Sequence, residues 1–235
     1  MRKLVLLLLT LTYFNIVFAL EFTDALMVLT PSGANKANSD FSSNIIIDDD
    51  TTNINAWSFS DFSIASDGKY YMASNEGISI SSDSGVSWRN ILPANGLASN
   101  DSTSIAAHDT DDENWVLVGS RNNGISASLD DGFTDFTTYN AANNGLVSDN
   151  VNSVAIDKNG TFYIATDNGL SIGWDVQNGL FFENYTTMEG LPHNVISEVL
   201  VKDTAQGTNI YLATNNGISF STDGFEFSNS LAGHA

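Results

Sequence analysis

Three observations predict an all-β protein built from about four antiparallel four-stranded units. The first is a phrase that the chain repeats. Tyr163-Ile164-Ala165-Thr166-Asp167-Asn168-Gly169-Leu170-Ser171 returns as Tyr211-Leu212-Ala213-Thr214-Asn215-Asn216-Gly217-Ile218-Ser219 and as Tyr71-Met72-Ala73-Ser74-Asn75-Glu76-Gly77-Ile78-Ser79. A looser copy runs Val116-Leu117-Val118-Gly119, gains two residues, and closes with Asn123-Gly124-Ile125-Ser126. The second is the period. Gly77, Gly124, Gly169 and Gly217 are separated by 47, 45 and 48 residues, the size of one unit in a stacked or radial β architecture. The third is the pattern within a copy, which alternates in the strand manner and nowhere sustains a 3.6-residue period over ten or more positions. Together they predict a β-propeller of about four four-stranded blades, complete or as part of a larger propeller.

Taken in order, the chain opens with a basic Met1-Arg2-Lys3, an apolar stretch from Leu4 to Phe18, and small residues at Val17 and Ala19. That is the pattern of a secretory signal peptide over residues 1–19, too short in its apolar part for an ordinary membrane span. It implies a secreted or periplasmic protein with no span left after the leader is removed. The absence of cysteine excludes disulfides and a lipid-modified cysteine, so packing and sheet hydrogen bonds must hold the fold. Residues 20–56 carry no copy of the repeat. Ala25 to Thr30 and Ile45 to Ile47 have strand character, and either is a candidate to close the ring by pairing with the last blade. Asp48-Asp49-Asp50 reads first as a solvated strand end.

Residues 57–235 hold the four copies: Trp57 to Asn95, Gly96 to Ala142, Gly145 to Met188, and Gly190 to Ala235. The third is the clearest. Asn152 to Ile156 is its first strand, Asp157-Lys158-Asn159-Gly160 a tight turn with glycine placed for positive φ, and Thr161 to Thr166 its second strand. Asp167-Asn168-Gly169 turns into Leu170 to Trp174, and Leu180 to Tyr185 is the fourth strand. Gly96-Leu97, Gly145-Leu146 and Gly190-Leu191 recur between copies, each followed by a polar bend such as Pro192-His193-Asn194.

Gly145-Leu146-Val147-Ser148-Asp149-Asn150-Val151, followed by Asp157-Lys158-Asn159-Gly160, Tyr163-Ile164-Ala165-Thr166 and Asn168-Gly169-Leu170, resembles the two-component regulator propeller repeat. That family's blade reads roughly Gly-Leu-Pro-x-Asn, Asp-x-x-Gly, Trp-Ile-Gly-Thr, Gly-Leu. The resemblance implies a propeller blade in an extracytoplasmic sensor-type module, and the family's propellers usually have more blades, often ahead of a sensor kinase. A second resemblance overlaps it. Ser81-x-Asp83-x-Gly85-x-Ser87-Trp88 and Ser128-x-Asp130-x-Gly132-x-Thr134-x-Phe136 are similar to the Asp-box of sialidase-like propellers; Ser221-Thr222-Asp223-Gly224-Phe225 is one residue short, and the third copy lacks it. In such a box the carboxylate accepts backbone N–H bonds and the aromatic packs beneath, so its role is structural.

Alternating strands put the bend entering strand one and the turn between strands two and three at the same end. This end is the expected ligand face. Its candidates are Asn75 and Glu76; Arg121 and Asn122; Asp167 and Asn168; His193 and Asn194; and Asn215 and Asn216. Such a polar ring suits hydroxyls or a cation. Equally, each Asn or Asp supplies the left-handed conformation before glycine. No cofactor is expected, with calcium the one open possibility. The formal charge of −20 excludes a phosphate backbone as partner and leaves a protein or a neutral glycan. After the leader, Arg89 and Arg121 are the only arginines, too few for the arginine cluster of a sialidase. No carboxylate pair, metal motif, phosphate loop or nucleophile elbow stands out. The reading is an exported, non-catalytic ligand-binding or sensor-type module. The alternatives are a secreted glycan-active enzyme and a fragment of a larger propeller sensor.

Overall fold

The computed structural model describes residues 18–22, 25–30, 33–38, 44–47, 58–109, 114–129, 135–176 and 179–230, of which the strands before residue 58 are described by backbone alone. The four predicted repeats are four separate four-stranded antiparallel sheets, each a simple meander. The first contains β5 (Phe59–Ile64), β6 (Tyr70–Ser74), β7 (Gly77–Ser81) and β8 (Arg89–Ile91). The next contains β9 (Ser102–Asp109), β10 (Asn114–Ser120), β11 (Ile125–Ser128) and β12 (Thr137–Tyr139). The third contains β13 (Val151–Ile156), β14 (Phe162–Thr166), β15 (Gly169–Val176) and β16 (Gly179–Tyr185). The last contains β17 (Ile196–Thr204), β18 (Gly207–Thr214), β19 (Gly217–Ser221) and β20 (Ser228–Ser230). The third strands begin at Gly77, Gly169 and Gly217, so the glycine expected in the turn is the first strand residue, while in the second repeat the strand begins after it, at Ile125. The last strand begins only at Ser228, because Asp223 accepts the Phe225 and Glu226 N–H groups and holds them in a turn.

The N-terminal segment departs from expectation. It forms a sheet of its own, with β1 (Phe18–Phe22), β2 (Ala25–Thr30), β3 (Gly33–Asn38) and β4 (Asn44–Ile47). Ala25–Thr30 pairs with β1 and β3, and Asn44–Ile47 pairs with β3. The two candidate closing strands are therefore partnered locally rather than with the last repeat, and the described residues hold five sheets rather than about four. The first seventeen residues of the expected leader, Asp48-Asp49-Asp50 and Trp57 lie outside the described residues.

Sheets of this kind packed face to face around their first strands make a β-propeller, and its sheets are called blades 1 to 5 here in chain order. First strands of successive blades are neighbours, β5 beside β9, β9 beside β13, β13 beside β17, while β2 lies against β5. The core is a series of apolar layers between blades. Blade 2 contributes Tyr71, Ala73, Ile78 and Ile80 to a layer that Ile105, Val116, Val118 and Phe136 of blade 3 complete. Leu117, Ile125 and Ala127 meet Val151, Val154, Phe162 and Ile164 in the next layer. Tyr163, Ala165, Leu170 and Ile172 meet Ile196, Val199, Ile210 and Leu212 in the last. Period-two alternation is what divides each strand between two such layers.

The inner edges of the blades carry unpaired backbone groups, which need partners. Side chains of the preceding blade supply them. Asp61 accepts the Ile105 N–H at 2.9 Å, Ser104 the Val154 N–H at 3.1 Å, and Ser153 the Val199 N–H at 3.3 Å. These three and Glu198 occupy the same register position, opposite Ala73, Gly119, Ala165 and Ala213. Burial pushes the Asp61 carboxyl up against the opposing effect of its hydrogen bonds from Ser104, Ile105 and Phe62. Desolvation likewise raises Glu198, with the Asp61 charge adding to the effect and the Ser153 hydroxyl opposing it.

The Ser81–Trp88 turn shows what an Asp-box does physically. Asp83 accepts the Ser87 N–H at 2.8 Å, the Ser87 hydroxyl at 2.6 Å and the Ser81 hydroxyl at 2.8 Å. Trp88 is buried and donates its indole N–H to the Gly85 carbonyl. The Ser87 hydroxyl above all, then its N–H and the Ser81 hydroxyl, hold the Asp83 carboxyl down from 3.8 to about 2. A depressed carboxyl stabilises the fold fully above its unfolded value and loses that contribution as pH falls through the folded one. Melting temperature should therefore fall between about pH 4 and pH 2 in wild type, with a shallower fall in Asp83→Asn; equal slopes in the two proteins contradict this role. Asp130, Gly132 and Thr134 of the second box lie outside the described residues.

Candidate functional site

The ten candidate residues do gather at one end, through a recurring backbone link. Asn75 N–H donates to the Ser58 carbonyl, Arg121 to Asp101, Asp167 to Asn150, and Asn215 to Val195. Each two-to-three turn is thus tied to the bend that enters its own blade. Gly77 and Gly124 also donate to Asn100 and Asp149 of the following blade. The turn itself is closed by a hydroxyl that the sequence pattern left unexplained. Ser74, Ser120, Thr166 and Thr214 donate to the carbonyls of Gly77, Gly124, Gly169 and Gly217 at 2.7 to 2.9 Å.

Seven of the ten candidates have a side-chain polar atom engaged within the protein. Asn75 Oδ1 accepts the Ser58 N–H, and Glu76 donates its N–H to Ser74. Asp167 accepts from the Ser148 hydroxyl at 2.5 Å and from the Asn150 amide at 3.2 Å. Asn168 and Asn216 donate their amides to the Val147 and Pro192 carbonyls. Asn194 accepts the Thr187 N–H, and His193 Nδ1 accepts the Val195 N–H. Arg121 pairs with Asp101 at 3.0 Å in solvent, a contact worth at most about 1 kcal/mol. Of the candidates only Asn122, at φ 63, takes the left-handed conformation expected at every turn; at the other turns the glycine itself takes it, Gly77 at φ 99, Gly169 at φ 137 and Gly217 at φ 103, because it meets no Cβ penalty there. Asn215 is exposed, its N–H held by Val195. The end face is a hydrogen-bonded collar in which the Glu76 carboxylate and the Asn122 and Asn215 amides stand outside the bonds just given.

A cleft of about 420 Å³ lies elsewhere, between blades 4 and 5 at the opposite end, and none of the ten residues lines it. Trp174, Tyr163, Ile172 and Phe225 form its apolar wall; Asn159, Thr161, Gln206, Thr208, Asp157 and Asp223 are the polar part. Its origin is local. Between blades 3 and 4 the Trp115 ring covers Gly160 so closely that a Cβ there would fall 1.9 Å from it. One blade on, the position of Trp115 is held by Thr161, and the nearest atom to a Cβ on Gly207 is 3.8 Å away. The shortened box of blade 5 then leaves Phe225 64% exposed at the mouth. Trp174 stacks on Phe181 with ring centroids 6.2 Å apart.

Asp157 anchors the floor. Its Oδ1 accepts the Asn159 and Thr161 N–H groups, both at 2.9 Å, and its Oδ2 accepts the Tyr163 hydroxyl at 3.2 Å and the Thr208 hydroxyl at 3.1 Å. Burial first, then the Asp157 charge, push the Tyr163 phenol far above its ordinary value. Asp223 Oδ1 is spent on the Ser221 hydroxyl and two backbone N–H groups. Asp157 thus has both oxygens engaged, and Asp223 one of its two. What remains toward the cleft is amide, hydroxyl and aromatic surface in a negative field. Among the described residues no group of three or more His, Cys, Asp or Glu side chains is placed to hold a metal ion. His108 packs on Trp115 at 5.9 Å, away from His193, and His234 lies outside the described residues.

Residues 145–168, the first part of the third repeat, match the family model of the two component regulator propeller. The fold is similar to the extracellular domain of BT3049 from B. thetaiotaomicron, described as a hybrid two component system. That likeness has a TM-score of 0.71 and 19% identity, over 92% of this chain and 28% of that one. The extracellular domain of BT4673 from the same organism gives 0.69 and 17%, over 100% of this chain and 30% of that one. AFV00434, an ancestral GH74 enzyme, gives 0.62 and 16%, over 88% and 29%. This chain thus spans less than a third of the length of these structures. No curated protein matches it. At these identities the likeness establishes the propeller fold.

Proposed function

We propose that this chain is an exported, non-catalytic propeller module of an extracytoplasmic sensor, and that it binds a neutral glycan in the cleft between blades 4 and 5. The observation that carries the reading is the cleft's chemistry. Aromatic walls at Trp174 and Phe225 suit the apolar face of a sugar ring, and Asn159, Gln206 and Thr222 offer donors and acceptors to its hydroxyls. Asp157 spends both oxygens and Asp223 its Oδ1 on internal hydrogen bonds, which favours binding over hydrolysis, and their field disfavours anionic ligands. The match of residues 145–168 to a regulator propeller repeat and the likeness to extracellular sensor domains support the sensor role and an extracellular or periplasmic location. No helix among the described residues is long and apolar enough to cross a membrane.

The test is a panel of neutral oligosaccharides, read by thermal shift and by product analysis. The expected result is a saturable rise in melting temperature with the oligosaccharide recovered intact. Trp174→Ala should weaken it on the order of tenfold or more, the loss typical of a buried aromatic anchor. Released reducing ends would support the glycan-active enzyme instead, the alternative that the likeness to a GH74 enzyme keeps open. A response unchanged in Trp174→Ala would remove the cleft from the account.

A further inference from the structure

Blade 4 is longer than its neighbours at the end where the cleft opens. Strands three and four run five and three residues in blade 2, four and three in blade 3, and five and three in blade 5, but eight and seven in blade 4. The third strands of the other blades stop at Ser81, Ser128 and Ser221. Gly173 holds that position in blade 4, and pairing continues through Trp174↔Phe181 to Val176↔Gly179. The added hairpin is pinned from behind. Phe182, opposite Gly173, covers it so closely that a Cβ there would fall 2.7 Å from the ring, and it packs edge-on against Tyr139 of blade 3. Alternation turns Trp174 and Phe181 the other way, toward blade 5. Trp174 packs on the layer between blades 4 and 5 and lines the cleft. Phe181 is 59% exposed and Val176 49%. The two rings lie 6.2 Å apart with their planes 25° from parallel. Faces in full overlap would lie about 4 Å apart, so these rings overlap little and form two steps of one surface.

We infer that this hairpin is a second subsite of the cleft, and that the ligand is a linear neutral oligosaccharide with one ring over Trp174 and the next over Phe181, rather than a single sugar. The inference rests on the glycan reading above and adds to it the length of the ligand and the residue that senses it. The cleft by itself, at about 420 Å³, is near the lower end of small-molecule sites. Its hydrogen-bonding groups, Asn159, Gln206 and Thr222 among them, lie inside it, while the wall beyond Trp174 is an aromatic ring and an aliphatic side chain open to water. A sugar ring has the same division. Its apolar face can rest on an aromatic ring while its hydroxyls stay in water, so a second ring needs no further partner from the protein. A wholly apolar ligand would instead leave the polar groups of the cleft unpaired, and the formal charge of −20 disfavours a chain of acidic sugars. Both rings stand on paired strands held by Phe182, so little freedom is lost when a ligand covers them.

Calorimetric titration of the whole protein with the mono-, di- and tetrasaccharides of β-1,4-linked glucose, mannose and xylose tests this, since that linkage gives extended chains with apolar ring faces. In a series that binds, affinity should rise on the order of tenfold from monosaccharide to tetrasaccharide. Phe181→Ala should lose about that factor for the tetrasaccharide, so that its affinities for short and long ligands converge. Phe181→Tyr, which keeps the ring, should keep the rise. Trp174→Ala should weaken binding at every length. Phe220→Ala, which removes an exposed aromatic of blade 5 that does not line the cleft, should bind like wild type. The melting temperature of Phe181→Ala should stay near that of wild type, because the ring is mostly in water. Binding that is independent of length, or that Phe181→Ala leaves equal to wild type at every length, overturns the inference and leaves the glycan reading standing. No binding in any of the three series also overturns it, and the thermal-shift panel then tells whether the glycan reading falls with it.

Discussion

Gly124→Ala should lower stability by about 2 to 5 kcal/mol, a fall on the order of 10 °C in melting temperature for a protein of this size. Two effects add. Gly124 sits at φ +77, where an L side chain is strained. A Cβ would also stand 2.2 Å from the Tyr139 carbonyl oxygen, a backbone atom of strand four that has nowhere to move. Gly145 provides the internal control. It lies at φ +81 with nothing within 4 Å of the added carbon, so Gly145→Ala should cost only the conformational part, about 1 to 2 kcal/mol. Chemical denaturation of the two variants separates the contributions. Equal losses would show that the approach of strand four does not matter. Gly77 and Gly169 meet Ile91 and Tyr185 oxygens in the same way, at 2.4 and 2.5 Å, so the glycine that announces the repeat is there for strand packing.

Asp157→Ala should be the second large loss, about 3 to 5 kcal/mol, since it strips partners from two backbone amides and two hydroxyls at a buried site. The variant should melt well below wild type and show weaker coupling of blade 5, because the Thr208 bond crosses between blades. Asp157→Asn, which keeps acceptor capacity, should lose less. Were Asp157 instead a catalytic or ligand carboxylate, the alanine variant would keep its melting temperature and lose only activity or binding. Thermal melts of both variants decide between these readings.

The architecture was legible because it is periodic. A glycine forced by a backbone approach recurs wherever the approach recurs, and Tyr71, Tyr163 and Tyr211 recur because the same layer recurs. Blade 1 was not legible. Its strands carry none of the glycine-turn phrase, and Ala25–Thr30 reads as a strand without saying which strand it joins. The end-face residues were located correctly in space but explained only in part. The turn propensity of Asn168 and Asn216 was visible; the Thr166 and Thr214 hydroxyls that lock those turns were not, since threonine in a strand needs no explanation of its own. The cleft was missed altogether. It depends on a departure from the repeat, Thr161 where Trp115 stands one blade earlier, and on the shortened box of the fourth copy, which leaves Phe225 exposed at the mouth. A box one residue short is visible in the sequence, but a missing residue in a turn does not by itself say that a cleft opens beside it.

The central claim is that this propeller presents its ligand site in the cleft between blades 4 and 5 rather than on the hydrogen-bonded collar at the other end. Backbone amide chemical-shift mapping during titration with the best oligosaccharide of the panel addresses it most directly. The expected result is saturable perturbation confined to residues 157–161, 206–208 and 222–225 with neighbours of Trp174. Perturbation centred instead on Asn75 and Glu76, Arg121 and Asn122, Asp167 and Asn168, and Asn215 and Asn216, with the cleft amides unmoved, would contradict it.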